Sequence, residues 1–400
     1  MDRTETVLLR LNGPDHTGIN AGLMAVLDKA GAAVHDIEQI VIRDQISLSL
    51  AVDVPRGRDL LSEVLVFGWE QGLEVDFEVA HSAPSVQLPA HVVTIVGQQL
   101  APAQIGAAAS AIADAGGNID RIVRLSSYPV MSYEFLVRDG DAARIRANLV
   151  DAANDHPGLD VAIQPEGLGR RAKRLVVLDV DSTLILNEAI DMLAEEAGTH
   201  DEVSAITEAA MAGEIDFTTA LRQRVHLLAG LDEDAIGRAV AAMRLTPGAR
   251  TFIRTLHRLG FTTAIISGGF TPFTDHLARE LGIHRAYANE LAMAEGRTTG
   301  ELVGPIIDRA RKGDLVREIA ASEKVPLEQV VAVGDGANDL DMLAQAGLGI
   351  AFNAKAVAEE VADTAMTVPY LDAVLFILGV RREEIEAADI AFVTAEPPNG

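Results

Sequence analysis

Residues 175–184 read LVVLDVDSTL, a short apolar run that leads directly into two aspartates. The run 175–178 is typical of a buried strand, and Asp179 and Asp181 follow its end. In a parallel α/β sheet, ligands bind beyond the carboxyl ends of the strands, where loop amides are free. Two carboxylates this close raise each other's pKa unless a cation lies between them, and carboxylate oxygens suit Mg²⁺. Without further motifs, two aspartates at this spacing more often belong to a turn whose backbone amides they cap.

Three later stretches also place polar residues near the ends of predicted elements: IISGG at 265–269, RKGD at 311–314 and VAVGDGAND at 331–339. The first offers a hydroxyl and two glycines before a helix, an arrangement that holds phosphate through backbone amides and the helix dipole. Each stretch also has an interpretation without chemistry. The first could be a tight turn and the second a solvated cation. The third could be an acidic turn, although its spacing does not fit an EF-hand. In this order, and together with the two aspartates, they indicate one chemical site.

Composition excludes several classes of protein. A hydrophobic fraction of 48% excludes a disordered chain, and 400 residues suffice for about two to three domains. The net charge of −26 repels phosphate backbones and anionic headgroups, so we expect no nucleic-acid and no membrane partner. The lack of cysteine excludes disulfides and thiolate chemistry. No signal peptide and no apolar run of ~18 residues is visible, so we expect a cytoplasmic protein.

The first part of the chain carries one order of elements twice. Strand-like runs at 6–11 and 91–97 are each followed by a turn, a helical pattern and two further strand-like runs. This predicts two ferredoxin-like β-α-β-β-α-β domains, at 1–82 and 90–165. We expect short linkers at 82–89 and at 165–174, and we interpret the basic residues of the second linker, PEGLGRRAKR, as solvated.

From residue 174 onward, short apolar strands alternate with helices. The runs 175–180, 262–267, 330–334 and 349–351 predict a Rossmann-like parallel sheet in an α/β domain at 174–393. A long helical insertion at about 188–242 interrupts this alternation after the first strand, and residues 289–303 are typical of a β-hairpin.

The ordered motifs resemble those of the haloacid dehalogenase (HAD) superfamily of phosphohydrolases, and more closely those of the phosphoserine phosphatase family. The resemblance covers about residues 175–380. It rests on DVDSTLILNEAID (179–191), MAGEIDFTTALRQRV (211–225), ISGGF (266–270), the RKGD lysine and GDGANDLDM (334–342). The two N-terminal domains resemble ACT domains, which usually bind amino acids, chiefly through NGPDHTG (12–18) and the helix after it.

The resemblance implies Mg²⁺-dependent hydrolysis of O-phospho-L-serine, the last step of L-serine biosynthesis. It implies that Asp179 attacks phosphorus and that Asp181 acts as general acid and then as general base. The implied magnesium ligands are Asp179, a carbonyl of Val180 or Asp181, and Asp335. Three groups are implied to hold phosphoryl oxygens: Ser267, the Gly268 amide and Lys312. Asn338 is implied to reach the substrate or orient its loop, and Asp339 to support the metal site.

The helical insertion is implied to be a cap that selects the substrate. Glu188 is expected to meet the substrate ammonium, and Arg224 the substrate carboxylate, with Arg222 as the rival. Met211 and Phe217 are expected to line the pocket, although such residues in a helical cap more often belong to its core.

The ACT resemblance implies feedback control by an amino acid such as L-serine. We expect an effector near Asp15 and Gly18 in the first repeat and near Gly106 in the second, and a homodimer. The alternative is that these domains only dimerise. Three other functions stay open: a phosphatase for another phosphomonoester, a phosphotransferase that uses an alcohol acceptor, and a serine-responsive regulator with an inactive phosphatase fold.

Overall fold

A computed structural model of the protein describes residues 4–55, 60–79, 90–354 and 362–395. The chain divides into two compact units, Met1–Gln87 and Leu88–Gly400. The predicted linker at 82–89 lies outside the described residues. Within the described part of the chain, no helix is long and apolar enough to cross a membrane.

The first unit is a four-stranded antiparallel sheet in the order β2-β3-β1-β4. Alternate residues of the strands pack against the two helices, because side chains along a strand point to opposite faces. Gly31 ends the first helix in the left-handed conformation, with φ 72°, which glycine adopts without a steric cost. The elements are β1 (Thr4–Pro14), α1 (Ile19–Ala30), β2 (Ala33–Ile42), β3 (Gln45–Pro55), α2 (Leu60–Gln71) and β4 (Glu74–Val79).

The second unit begins with the same arrangement, in the strand order β6-β7-β5-β8, so the prediction of two β-α-β-β-α-β repeats is confirmed. One face of this sheet packs against its own helices. The elements are β5 (His91–Gly97), α3 (Pro102–Asp114), β6 (Gly117–Ser126), β7 (Met131–Asp139), α4 (Ala142–Asp155) and β8 (Asp160–Pro165).

The stretch that connects the second repeat to the last domain is not a solvated linker. It contains a short helix, α5 (Leu168–Arg171). The side chain of Arg170 is only 6% exposed and forms an ion pair with Glu134 of β7. Lys173 is buried, and its Nζ donates a hydrogen bond to the carbonyl of Glu328. The interpretation of these two cations as solvated is therefore wrong, because both meet partners that are distant in sequence.

The last domain is built on a seven-stranded sheet in the order β12-β11-β10-β9-β13-β14-β15. Its strands are parallel except for the β11–β12 hairpin, which confirms the predicted α/β sheet and hairpin. The strands are β9 (Leu175–Leu178), β10 (Thr262–Phe270), β11 (Arg285–Ala294), β12 (Arg297–Val303), β13 (Val330–Gly334), β14 (Leu348–Phe352) and β15 (Thr364–Met366).

Helices surround this sheet and form the predicted insertion between β9 and β10. The insertion helices are α6 (Ala189–Ala197), α7 (His200–Met211), α8 (Phe217–His226) and α9 (Glu233–Ala241). The other helices are α10 (Ala249–Arg258), α11 (Thr271–Leu281), α12 (Arg309–Ser322), α13 (Leu340–Gln345), α14 (Val374–Ile377) and α15 (Arg382–Ala395). We call α6–α9 the cap; its apolar residues, among them Leu193 and Leu221, form one cluster with Phe270, Phe273 and Leu291 of the sheet and its helices.

The central position of β9 explains its uninterrupted apolar sequence. The strand pairs with β10 on one side and β13 on the other. Val176 and Leu178 enter the core on one face of the sheet, whereas Leu175 and Val177 enter the core on the other face. A parallel strand that is buried on both faces needs apolar residues at every position.

Candidate active site

The carboxyl ends of β10, β9 and β13 lie side by side and form the floor of a cleft of about 660 Å³ under the cap. The residues predicted from separate motifs meet here because parallel strands end at the same edge of the sheet. Of the predicted residues, those that line this cleft are Asp179, Asp181, Glu188, Met211, Phe217, Arg224, Gly268, Asp335 and Asn338.

A buried lysine lies beneath the floor. Lys312 comes from the first turns of α12, and its Nζ lies 2.7 Å from an oxygen of Asp179 and 2.7 Å from an oxygen of Asp339. Burial opposes its charge, but these two carboxylates hold its pKa above the usual value, so the ammonium stays charged. Lys312 therefore fixes the rotamer of Asp179, and it lies outside the lining of the cleft, where it was predicted to hold a phosphoryl oxygen.

The floor of the cleft contains three clustered carboxylates but only one lysine, Lys312, beside them in the part of the chain that the structure describes. Burial raises the pKa of Asp179 well above its usual value, and repulsion from Asp339 adds to the shift. Asp179, Asp335 and Asp339 each offer an oxygen atom, and these atoms lie within 4.8 Å of one another. An all-oxygen set with excess negative charge fits a hard divalent cation such as Mg²⁺.

The structure places the side chain of Asp181 outside this set. One of its oxygens accepts a hydrogen bond from the Ala189 amide at 2.7 Å, and the other accepts one from Ser267 Oγ at 2.9 Å. Burial raises the pKa of Asp181 although both hydrogen bonds oppose the shift. Asp181 therefore faces the cleft as a separate, orientated carboxyl group, and the third clustered oxygen belongs to Asp339, which was predicted to support the metal site.

The two candidate carbonyl ligands differ in their hydrogen bonds. The Val180 carbonyl accepts hydrogen bonds from the amides of Thr183, Leu184 and Ile185. Because three donors already occupy this oxygen, the structure favours the carbonyl of Asp181 over that of Val180.

The end of β10 brings backbone close to Asp181. Ser267 Oγ accepts a hydrogen bond from the Gly269 amide at 2.8 Å. A Cβ atom at Gly269 would lie 3.0 Å from a carboxylate oxygen of Asp181, so glycine permits this approach.

Sequence reasoning missed Asn289, which is buried in β11. Its Nδ2 donates to the Gly268 carbonyl and its Oδ1 accepts from the Ile307 amide, both at 2.8 Å.

Glu188 lies at the mouth of the cleft, immediately before α6. Its side chain keeps an exposed face, while the concave wall removes much of its hydration. This desolvation, with repulsion from Asp181, raises its pKa to about 7, although Ser182 Oγ donates to Glu188 Oε1 at 2.8 Å. Ser182 adopts a left-handed conformation, with φ 56°, to present this hydroxyl.

The cap separates the two rival arginines. Arg224 lines the active cleft, whereas Arg222 lines another cavity of about 670 Å³, which includes residues of α8 and β12. Met211 and Phe217 line the active cleft and are 68% and 37% exposed, so they are not core residues of the cap. Sequence reasoning also missed eight lining residues, most of which lie within the quoted motifs: Ile190, Asp191, Thr207, Ala210, Leu221, Gly269, Gly336 and Ala337.

The two predicted effector positions differ. Asp15 and Gly18 are exposed at the start of α1, where Gly18 is the N-cap with φ 99°. Gly106, in contrast, lies inside α3, which begins at Pro102, so its amide belongs to the helical ladder and is not free for a ligand. At the start of α3, Gln104 Oε1 already accepts from the Ala101 amide at 2.9 Å. The Gly106 amide is therefore not available to an effector.

Comparison with known families agrees with this architecture. Residues 173–347 match the haloacid dehalogenase-like hydrolases, and residues 5–78 and 89–164 each match an ACT domain. The chain is 47% identical to a phosphoserine phosphatase of Streptomyces coelicolor over 96% of its own length and 94% of the relative. It is 45% identical to phosphoserine phosphatase SerB2 of Mycobacterium tuberculosis over 96% of its own length and 95% of the relative.

A solved structure gives the same result. The crystal structure of a probable phosphoserine phosphatase from Vibrio cholerae, in its unliganded form, superposes with a TM-score of 0.57 at 32% identity. The match covers 74% of this chain and 88% of that one. The chain therefore belongs to the phosphoserine phosphatase family of haloacid dehalogenase-like hydrolases, and two ACT domains precede its catalytic domain.

Proposed function

We propose that the protein hydrolyses O-phospho-L-serine to L-serine and phosphate through an aspartyl-phosphate. This proposal rests on one observation: a single cleft is lined by two different groups of charged side chains. Its floor offers Asp179 and Asp181 for phosphoryl transfer, and its cap side offers Glu188 and Arg224 for an ammonium and a carboxylate. The printed names of the two full-length relatives support the same substrate.

In the first half-reaction, a carboxylate oxygen of Asp179 attacks phosphorus, and the bond from phosphorus to the serine oxygen breaks. Lys312 holds the Asp179 carboxylate in place, and Asp181 donates its proton to the leaving serine oxygen. The Gly268 amide binds a phosphoryl oxygen, whereas Ser267 Oγ, which was predicted to bind one as well, donates its single proton to Asp181. Mg²⁺ held by Asp179, Asp335, Asp339 and the Asp181 carbonyl would offset the charge of those oxygens.

In the second half-reaction, Asp181 takes a proton from a water molecule, which then attacks phosphorus and releases Asp179. Hydrogen bonds from Ala189 and Ser267 orient Asp181 for both transfers. Asn338, at the rim of the β13 loop, contacts the substrate or orients this loop.

Selectivity comes from the cap. Arg224 binds the substrate carboxylate through two parallel N–H donors, and Glu188 binds the ammonium. Met211 and Phe217 enclose the carbon atoms between these charges. A phosphomonoester that lacks either charged group leaves one of these side chains without its partner and binds less tightly.

We also propose that this reaction completes L-serine biosynthesis in the cytoplasm, and that the protein works as a homodimer. L-serine would act as effector at the first ACT domain. The amides at the start of α1, beside Asp15 and Gly18, suit its carboxylate.

The test is phosphate release from O-phospho-L-serine, O-phosphoethanolamine and p-nitrophenyl phosphate, each with Mg²⁺ and with EDTA. We expect a strong preference for phosphoserine, lost in EDTA. Equal rates on all three esters would contradict the serine pocket but not the phosphatase chemistry. No hydrolysis of any ester would favour a regulatory protein with an inactive phosphatase fold, and transfer to added alcohol would indicate a phosphotransferase.

A further inference from the structure

We propose that Thr207 is a specificity-determining positioning residue, which holds the guanidinium of Arg224 in the orientation that binds the substrate carboxylate. This inference rests on the proposed function. Thr207 lies in α7 and Arg224 in α8, and both line the active cleft. The contact between them joins two different helices of the cap.

The hydroxyl of Thr207 has a fixed direction. Thr207 Oγ1 donates a hydrogen bond to the Val203 carbonyl of its own helix at 2.9 Å. Its proton is therefore committed, and a lone pair is left to accept from Arg224 Nη1 at 3.3 Å. A methyl group at the same place could not accept this hydrogen bond.

The guanidinium has a second contact within the cap. Arg224 Nε donates to the Ala220 carbonyl at 3.4 Å. A guanidinium has five N–H donors, and these two contacts use two of them, so three remain for a ligand. Within the part of the chain that the structure describes, Arg224 forms no ion pair, so its position in the cleft leaves it available to an incoming carboxylate.

Orientation matters here because recognition of a carboxylate by arginine is planar and bidentate. Burial in the cap lowers the pKa of Arg224, and the negative charges of Asp191 and Glu188 oppose this shift. Without Thr207, the long side chain can rotate toward these two carboxylates of the cleft. Loss of the hydroxyl should therefore weaken the binding of substrates that carry a carboxylate and spare those that lack one.

The experiment compares O-phospho-L-serine with O-phosphoethanolamine, which has the same phosphate and ammonium but no carboxylate. Thr207→Val removes the hydroxyl at nearly constant shape, and we expect the KM for phosphoserine to rise about tenfold with little change in kcat. The kcat/KM for phosphoethanolamine should fall by a much smaller factor, and Thr207→Ser should restore the KM for phosphoserine. Thr199→Val is the matched control, because this cap hydroxyl bonds a backbone carbonyl, that of Leu227, and not Arg224.

An equal loss on both substrates would overturn the inference and assign Thr207 a structural role in the cap. An unchanged KM for phosphoserine would overturn it as well. A double-mutant cycle guards against a poorly folded variant, since Thr207→Val should have no further effect in an Arg224→Ala background, and an additive effect contradicts the inference. If the wild-type protein itself fails to hydrolyse phosphoserine, the proposed function fails first and the inference falls with it.

Discussion

The two ACT domains share one fold and one strand register but use the outer faces of their sheets differently. In the first, Arg10 of β1 lies opposite Asp76 of β4, and these exposed side chains form an ion pair. In the second, the equivalent positions hold Thr94 of β5 opposite Ala162 of β8, and both residues are buried. The same face is charged and solvated in one domain and uncharged and covered in the other.

The covered face belongs to the core of the catalytic domain. Four apolar residues of the second ACT domain join the same cluster as Phe376 of α14: Val96, Leu125, Val130 and Ala162. Polar contacts complete the packing, since Gln164 Nε2 donates to the Ile377 carbonyl at 2.8 Å. The second ACT domain is therefore part of the catalytic unit, whereas the first forms a compact unit of its own.

The largest effect should come from deletion of each domain. A chain that begins at Leu88 keeps the whole second unit, and we expect it to unfold cooperatively and to retain phosphatase activity. A chain that begins at Ala172 exposes apolar surface, at a cost of several kcal/mol out of a total stability of about 5–15 kcal/mol. Circular dichroism melts and phosphate release check both. Equal melting of the two truncated chains would contradict the distinction.

A smaller loss of stability should follow when an arginine, as at position 10 of the first ACT domain, replaces Thr94 at the equivalent position of the second. Thr94 is 1% exposed, so Thr94→Arg buries an unpaired guanidinium at the contact with the catalytic domain. We expect a loss of about 3–5 kcal/mol, measured as a lower urea midpoint. The reverse change, Arg10→Thr, removes only exposed ion pairs and should leave the midpoint nearly unchanged. Similar shifts in both variants would argue against a buried face.

The smallest effect concerns one pair of acidic residues in equivalent positions. Asp160, which begins β8, accepts hydrogen bonds from the Thr367 amide and hydroxyl, both at 2.8 Å. Asp160→Ala leaves these groups unpaired and should cost about 1–3 kcal/mol. Glu74, which begins β4, is exposed, so Glu74→Ala should change stability by less than about 0.5 kcal/mol. Thermal melts of the two variants, compared with wild type, measure the difference.

The sequence was most informative where chemistry follows strand ends. Asp179, Gly268 and Asp335 could be assigned to one site before any fold was known, because parallel strands bring their carboxyl ends together. The burial of charged side chains by partners distant in the sequence could not be predicted in this way. Arg170 and Lys173 look like linker cations in the sequence, and their partners Glu134 and Glu328 lie far away along the chain.

Side-chain direction was the other limit. Arg222 and Arg224 lie two residues apart on one helix and therefore face different cavities, which local sequence cannot distinguish without the packing of the cap. The carboxylate of Asp181 turns toward Ala189 and Ser267, a choice set by contacts 8 and 86 positions away.

The central claim is that Asp179 accepts the phosphoryl group, and acid quenching of a reaction with ³²P-labelled O-phospho-L-serine tests it most directly. Peptide mapping of the quenched protein should place the label on the peptide that contains Asp179. Asp179→Asn should remain folded, carry no label and lose steady hydrolysis. Label on another residue, or steady hydrolysis by Asp179→Asn, would contradict the assignment of the nucleophile.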